Sequence, residues 1–459
     1  MSKRDEIIER YKKYLADYVK LPSVSAQNRA TQETADFLQK LFTEAGGHAE
    51  VFSDYEHPLV YADFQPKDAK KNKTTIVFYN HYDVQPPEPL EEWHSEPFTL
   101  TETDGKLVGR GVADCKGELI VRLTALSIYK QEHGDFPFRV KFFVEGAEEI
   151  ASQNLEDYLK KYADLFQTDL VVWEGGSKTS QGKLEITGGN KGISCFDLVA
   201  RTSKDDIHSS SAAYIEGPGW RLTQALAALR DIESGRILVD GFYDDVEEPS
   251  PRARELINKM YLDKDAVRTL HDLNRPFLFD NIKEAYAFEP TINIAGLTSG
   301  YEGESVKTVL PHTARAKIDV RLVPHQDPID IQQKVRKYLD KRGFSDVKLE
   351  YLMGEKGYRS DLDTPIVRNV LNIAAEIYGG TDNLQLLPTS SGTGPMYLFN
   401  HYLHAPLMSF GIGDPGSGAH SPNENVHLSN YYQGIHFVTA IFEKLAQDLN
   451  SSSKSNAVH

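Results

Sequence analysis

Cysteine is almost absent from this chain: only Cys115 and Cys195 occur among 459 residues. Two thiols cannot build a disulfide framework, so the expected setting is a reducing compartment. Long apolar runs are missing too. No window approaches the ~18 apolar residues of a membrane span. The opening Met1-Ser-Lys-Arg-Asp-Glu-Ile-Ile runs straight into an amphipathic pattern (Ile7, Ile8, Tyr11, Leu15, Tyr18, Val19) without a signal-peptide signature. The expectation is a cytoplasmic chain with no membrane contact. Basic charge is also short: 51 Lys and Arg stand against 67 Asp and Glu, a net charge of −16. That balance argues against a nucleic-acid partner, because phosphate binding needs clustered Lys and Arg.

What is present is an alternation of helical and extended patterns, in a chain long enough for two domains. Residues 4–20 and 31–46 carry helical periodicity, and Thr75-Ile-Val-Phe-Tyr79 is a short buried-type strand. A helix over 117–131 leads to the strand Phe138–Val144, then a helix over 155–166 to the strand Asp169–Trp173. This alternation predicts a mostly parallel sheet flanked by helices, an α/β fold. After Gly188 the pattern changes to strands at 193–201, 291–295, 314–323 and 347–351, with helices at 218–232 and 330–342 and a charged, aromatic stretch at 240–290. From Thr364 the first style resumes, with a helix at 365–378, a strand near 405–410 and a helix at 429–448. The organisation expected is a discontinuous catalytic domain, 1–188 and 358–459, interrupted by an α+β domain over 189–357. The polar tail from Asn450 onward is expected to be disordered.

Five clusters carry chemistry. His81 and Asp83 follow an apolar strand and, two residues apart, point the same way. A carboxylate beside an imidazole fixes the tautomer of a metal-ligating histidine. Asp114 lies in a glycine-rich loop before a helix, where a carboxylate can bridge two cations or simply cap the helix. Glu148 and Glu149 follow the next strand; adjacent carboxylates diverge, so one can bind metal while the other takes a proton. Glu174 ends the strand after that, and His420 sits in a loop after the apolar 407–412 segment. Each alone reads as a surface residue. Together they place chargeable groups at the ends of successive strands, where loops converge on one rim. Two histidines and three carboxylates suit zinc, with manganese or cobalt as substitutes.

The motifs His81-Tyr-Asp83-Val-Gln-Pro, Gly109-Arg-Gly-Val-Ala-Asp114-Cys-Lys-Gly117, Glu145-Gly-Ala-Glu148-Glu149-Ile and Gly418-Ala-His420-Ser-Pro-Asn-Glu424 resemble those of the dizinc metallopeptidase family. That family holds the carnosinases and cytosolic dipeptidases, aminoacylase, acetylornithine deacetylase and succinyl-diaminopimelate desuccinylase; the carnosinase-like branch is the most similar. The resemblance implies two metal ions, one held by His81, Asp114 and Glu174, the other by Asp114, Glu149 and His420. It implies Glu148 as general base, Asp83 as the residue orienting His81, and the inserted domain as a lid that forms a homodimer. It also implies that His208 stabilises the oxyanion in the partner's site, that Thr308 binds substrate across the dimer, and that Arg321 grips the substrate carboxylate. Gly392 and Thr393 would complete the substrate contacts.

Two positions depart from the carnosinase pattern. Cys115 stands where a second aspartate is usual, and Thr389-Ser-Ser-Gly-Thr393-Gly-Pro replaces a loop that usually reads Arg-Glu-Gly-Gly-Ser. The function expected is hydrolysis of a dipeptide or small peptide with a free carboxylate. The competing enzyme reading is an N-acyl amino acid deacylase or desuccinylase. A non-catalytic binding protein of the same fold would have lost a ligand or the base, and all six positions are present.

Overall fold

A computed structural model of the chain describes residues 2–68 and 73–455, with side chains as far as Gln447. The chain divides into two compact units. One comprises Met1–Gly188, Ser360–Leu387 and Leu398–His459, the other Gly189–Arg359 and Pro388–Tyr397.

The first unit is built on an eight-stranded sheet. Its centre is four parallel strands in the order Arg139–Glu145, Thr75–His81, Leu170–Trp173 and Leu407–Ser409. These strands are buried almost throughout, which is why they read as continuous apolar runs rather than alternating ones. On one side the antiparallel pair His48–Phe52 and Leu59–Phe64 extends the sheet, and on the other Leu184–Thr187 and Leu384–Leu387 do so. The mostly parallel, helix-flanked sheet is the fold class that the sequence pattern predicts. The helix Lys116–His133 packs between the N-terminal helix Lys3–Val19 and the C-terminal helix Leu428–Ser455. That last helix continues to Ser455, so the expected disordered tail is helical as far as that residue, and 456–459 lie outside the described residues. Propagation past an established helix costs far less than nucleation, so polar residues can be drawn into it.

The second unit has a four-stranded antiparallel sheet ordered Thr291–Ser299, Thr313–Leu322, Gly192–Arg201, Lys348–Glu355. The helices Pro218–Leu229 and Pro328–Lys341 cover one face and enclose a core containing Phe196, Leu198, Leu222, Ile318, Val320 and Val335. The 240–290 stretch forms three short helices, Pro251–Lys259, Lys264–Leu270 and Ile282–Phe288. The segment Pro388–Tyr397 groups with this unit, whereas the sequence reading placed it within 358–459. Main-chain bonds account for the difference: Ser390 N donates to Gly189 O at 2.9 Å and Lys191 N to Gly392 O at 2.9 Å. Such pairing leaves no periodicity in sequence.

Among the described residues, no helix is long and apolar enough to cross a membrane. Both cysteines are free, Cys115 buried and Cys195 partly so.

Candidate metal centre

The parallel strands of the first unit end almost level, since His81 lies opposite Glu145 in the register and Ser409 opposite Trp173. Their carboxyl ends therefore deliver His81, the turn Glu148–Ile150, and Glu174 to one rim. Two further loops reach it. The strand Lys106–Val108 leads into the Asp114 loop, and it pairs with Asn425–His427, which follows the His420 loop. The ladder thus brings two distant loops together.

Asp114 is the centre of the arrangement. Its Oδ1 lies 3.0 Å from His81 Nε2 and its Oδ2 lies 3.0 Å from His420 Nε2. His420 Nε2 is also 3.1 Å from Glu149 Oε2. Each oxygen of one carboxylate faces a different imidazole, which is the disposition a bridging ligand needs. Atoms of His81, Asp114 and Glu149 converge within 4.8 Å, as do those of His81, Cys115 and Glu174.

Behind these groups sits a supporting layer. His81 Nδ1 is 3.0 Å from the Asp83 main-chain oxygen and 3.4 Å from its Oδ1, which leaves Nε2 facing the site. The Asp83 carboxylate in turn accepts the Glu148 and Glu149 amides at 3.2 and 3.0 Å, so one buried aspartate orients both the histidine and the Glu148–Glu149 turn. Gln85 Nε2 donates to Glu149 Oε2 at 2.7 Å. Glu424, quoted in the motif but without a role, is fully buried and accepts from Arg110, Gly111 N, Ala113 N and Asp114 N at 2.8–3.0 Å. It holds the Asp114 loop from the His420 side.

Cys115, the departure from the expected aspartate, turns its sulfur onto the His81 backbone: Sγ donates to His81 O at 3.1 Å and accepts from His81 N at 3.3 Å. Burial pushes the thiol up to about 12, so it stays protonated at neutral pH and is a poor metal donor.

The electrostatics are those of anions crowded together with two imidazoles. Burial pushes Glu148 up to about 7, with Glu149 and Asp114 adding and His81 opposing. Burial also drives Glu174 well above the carboxylate range. For Asp114 burial acts upward, but hydrogen bonds from His420 and His81 hold it far below the usual value. The same bonds to Asp114 and Glu149 raise His420 to about 10. Two imidazoles face oxygens that cations would satisfy equally, so the donor set fits divalent metal.

The remaining candidates lie in the second unit, in two groups. His208, on the short ladder Ile207–His208 with Val309–Leu310, is exposed, its Nδ1 2.9 Å from Ser210 Oγ. Thr308 is exposed beside it, and its main-chain oxygen accepts from Ser209 N at 3.2 Å. Arg321 donates through Nη1 to Thr393 Oγ1 at 2.5 Å, and Gly392 adjoins it.

The chain matches Peptidase family M20/M25/M40 over residues 77–444. It is 28% identical to the human Beta-Ala-His dipeptidase, covering 97% of this chain and 91% of that protein. It is 25% identical to the Cys-Gly metallodipeptidase dug1 of Schizosaccharomyces pombe, covering 97% and 96%. Among solved structures, the M20 family metallo-carboxypeptidase Sso-CP2 from Sulfolobus solfataricus matches with a TM-score of 0.85 at 34% identity, covering 96% of this chain and 99% of that one. The resemblance drawn from the motifs is thereby met, and the chain belongs to peptidase family M20/M25/M40 as a metallopeptidase acting on a C–N amide bond.

Proposed function

We propose that the chain is a two-metal dipeptidase that cleaves the amide bond of a dipeptide, or a similarly small peptide, carrying a free carboxylate. The observation that carries this reading is Asp114, whose two oxygens each face a different imidazole. In this reading His81, Asp114 and Glu174 hold one cation, and Asp114, Glu149 and His420 hold the other. Zinc suits these donors, and manganese or cobalt can replace it. The bound cations supply a nucleophile from water at neutral pH and polarise the scissile carbonyl.

The protein's own groups do the rest. Glu148, on the turn next to Glu149, would accept the proton of the attacking water and return it to the departing amine. Asp83 keeps His81 in one tautomer and fixes the turn that bears Glu148. Arg321, with Thr393 and Gly392 beside it, would pair with the substrate carboxylate.

We assign the second unit, 189–357 in the sequence reading, the role of lid and dimerisation domain. His208 and Thr308 stand exposed on it, as groups offered to a second copy's site would. There His208 would donate to the developing oxyanion. The nine-residue edge strand Thr291–Ser299 is largely exposed, with Ile294 48%, Leu297 54% and nearby Trp220 72% exposed, and suits pairing with its own copy. Two free cysteines fit a cytoplasmic setting.

A second reading has a specific support. Sso-CP2, at 34% identity, is described as a carboxypeptidase, and a carboxylate-gripping arginine serves that activity equally. The N-acyl amino acid deacylase reading is not favoured, because the relatives named above are peptidases. Rates on dipeptides, longer peptides, C-terminally amidated peptides and N-acetyl amino acids, after chelation and reloading with zinc or manganese, test the assignment. Dipeptides should be cut fastest. Fastest turnover of N-acetyl amino acids would reject it, and equal rates on longer peptides would favour carboxypeptidase.

A further inference from the structure

The strands that deliver His81 and Glu174 stop pairing with each other before they reach the rim. Their parallel ladder runs from Ile76–Leu170 to Phe78–Val172 and ends there. Beyond it no ladder joins Tyr79 to Trp173, although each stays in register with the strand on its other side, Phe143 and Ser409. A buried carbonyl needs a partner. One side chain spans the two backbones here: Arg122 donates to Tyr79 O through Nη1 and to Trp173 O through Nη2, each at 2.7 Å. Arg122 Nη1 also reaches Asn80 Oδ1 at 2.9 Å. Its companion Glu118 accepts the Gly175 amide at 3.0 Å and lies 3.4 Å from Arg122 Nη2. Both side chains are buried, 2% and 3% exposed.

These contacts bracket the two ligands on one side of the site. Tyr79 and Asn80 immediately precede His81, while Trp173 and Gly175 flank Glu174. Cys115, bonded to both the amide and the carbonyl of His81, lies on the same helical face as Glu118 and Arg122, at spacings of three and four residues. One stripe at the start of the helix Lys116–His133 therefore holds both strand ends.

A buried ion pair is not needed for stability as such, because an apolar pair of similar volume is often no worse. What it supplies here is a fixed separation between two backbones that have stopped hydrogen bonding to each other. The other ligand group is held separately: Glu424 and the Asn425–Val108 pairing fix the loops of Asp114 and His420.

We propose that Arg122 and Glu118 are positioning residues that set the His81–Glu174 distance, and so tune the affinity of the metal bound there and not of its neighbour. The proposal rests on the two-metal reading above. Its test is a metal-uptake titration of the intact metal-free protein with zinc, followed by competition with a chelator. Glu174→Gln and His420→Ala mark which binding step belongs to which site. The variant is the double change Arg122→Met with Glu118→Gln, which leaves no lone buried charge.

The double variant should weaken the step that Glu174→Gln abolishes by about ten- to hundredfold, the usual cost of losing an outer partner of a ligand. The step that His420→Ala abolishes should move less than about threefold by the same reasoning. If the double variant does not fold, Arg122→Lys serves, since one ammonium cannot span the same three acceptors in a fork. It should weaken the same step selectively. Equal weakening of both steps, or of neither, overturns the proposal while leaving the two-metal reading intact. A native protein that takes up fewer than two zinc ions overturns that reading, and the proposal with it.

Discussion

His420 reaches Asp114 from a loop far away in sequence, with Nε2 3.0 Å from Oδ2, and does so as a proton donor. That bond, with the one to Glu149, holds His420 protonated up to about pH 10 in the metal-free protein. Burial acts downward on His81, but its bonds to the Asp114 and Asp83 carboxylates raise it well above the ordinary histidine value.

A metal-ligating imidazole must be neutral, so each cation competes with these protons. Raising the pH from 6 towards 9 lowers the proton concentration while the sites are still protonated, and apparent metal affinity rises. The expected slope is about tenfold per pH unit for each proton displaced. Calorimetric titrations in buffers of different ionisation enthalpy should show more than one proton released per chain at pH 7. An affinity independent of pH would contradict this account.

Glu148→Gln should bind both cations as the native chain does yet lose turnover by at least about a hundredfold, the ordinary worth of a general base. Metal content by elemental analysis and kcat on a dipeptide separate the two effects. Activity within tenfold of native would remove Glu148 from that role.

Arg321→Ala removes the guanidinium that donates to Thr393. Peptides with a free carboxylate should lose about 10- to 100-fold in kcat/KM, the worth of a charge-assisted bond, while C-terminally amidated peptides are cut as before. Equal loss on both substrates would assign Arg321 a purely structural part.

Glu148→Gln and His208→Ala chains are each expected to be inactive. If His208 acts in a partner's site, mixing them under exchange restores some activity, because a mixed dimer has one site with both groups. With random exchange and one of the two sites intact in half of the dimers, recovery approaches about a quarter of native. No recovery, with exchange verified by sedimentation of labelled chains, would place His208 in its own chain's chemistry. Trp220→Asp in the exposed patch should shift the same chains towards monomer.

Much of the site was legible because its chemistry is local. A histidine two residues before an aspartate, or paired glutamates after an apolar run, reads alone as a surface feature, but the positions His81, Asp114, Glu148, Glu149, Glu174 and His420 together mark the ends of successive strands and the loops between them. The buried parallel strands were legible for a similar reason, as unbroken apolar runs. The strands His48–Phe52 and Leu384–Leu387 were not, being short and edge-placed.

The sequence by itself determined the residue types that can bind metal and move protons, and the helix–strand alternation that brings strand ends to one rim. The tertiary structure alone decided that Asp114 offers one oxygen to each histidine, that Glu424 carries the Asp114 loop, and that Pro388–Tyr397 joins the second unit. It also decided that Arg122, an unremarked residue in a helix, closes the gap between Tyr79 and Trp173. The reason is physical: periodicity records which face of an element is buried, whereas a hydrogen bond between distant segments depends on where chain topology brings their backbones, and leaves no pattern in either segment alone.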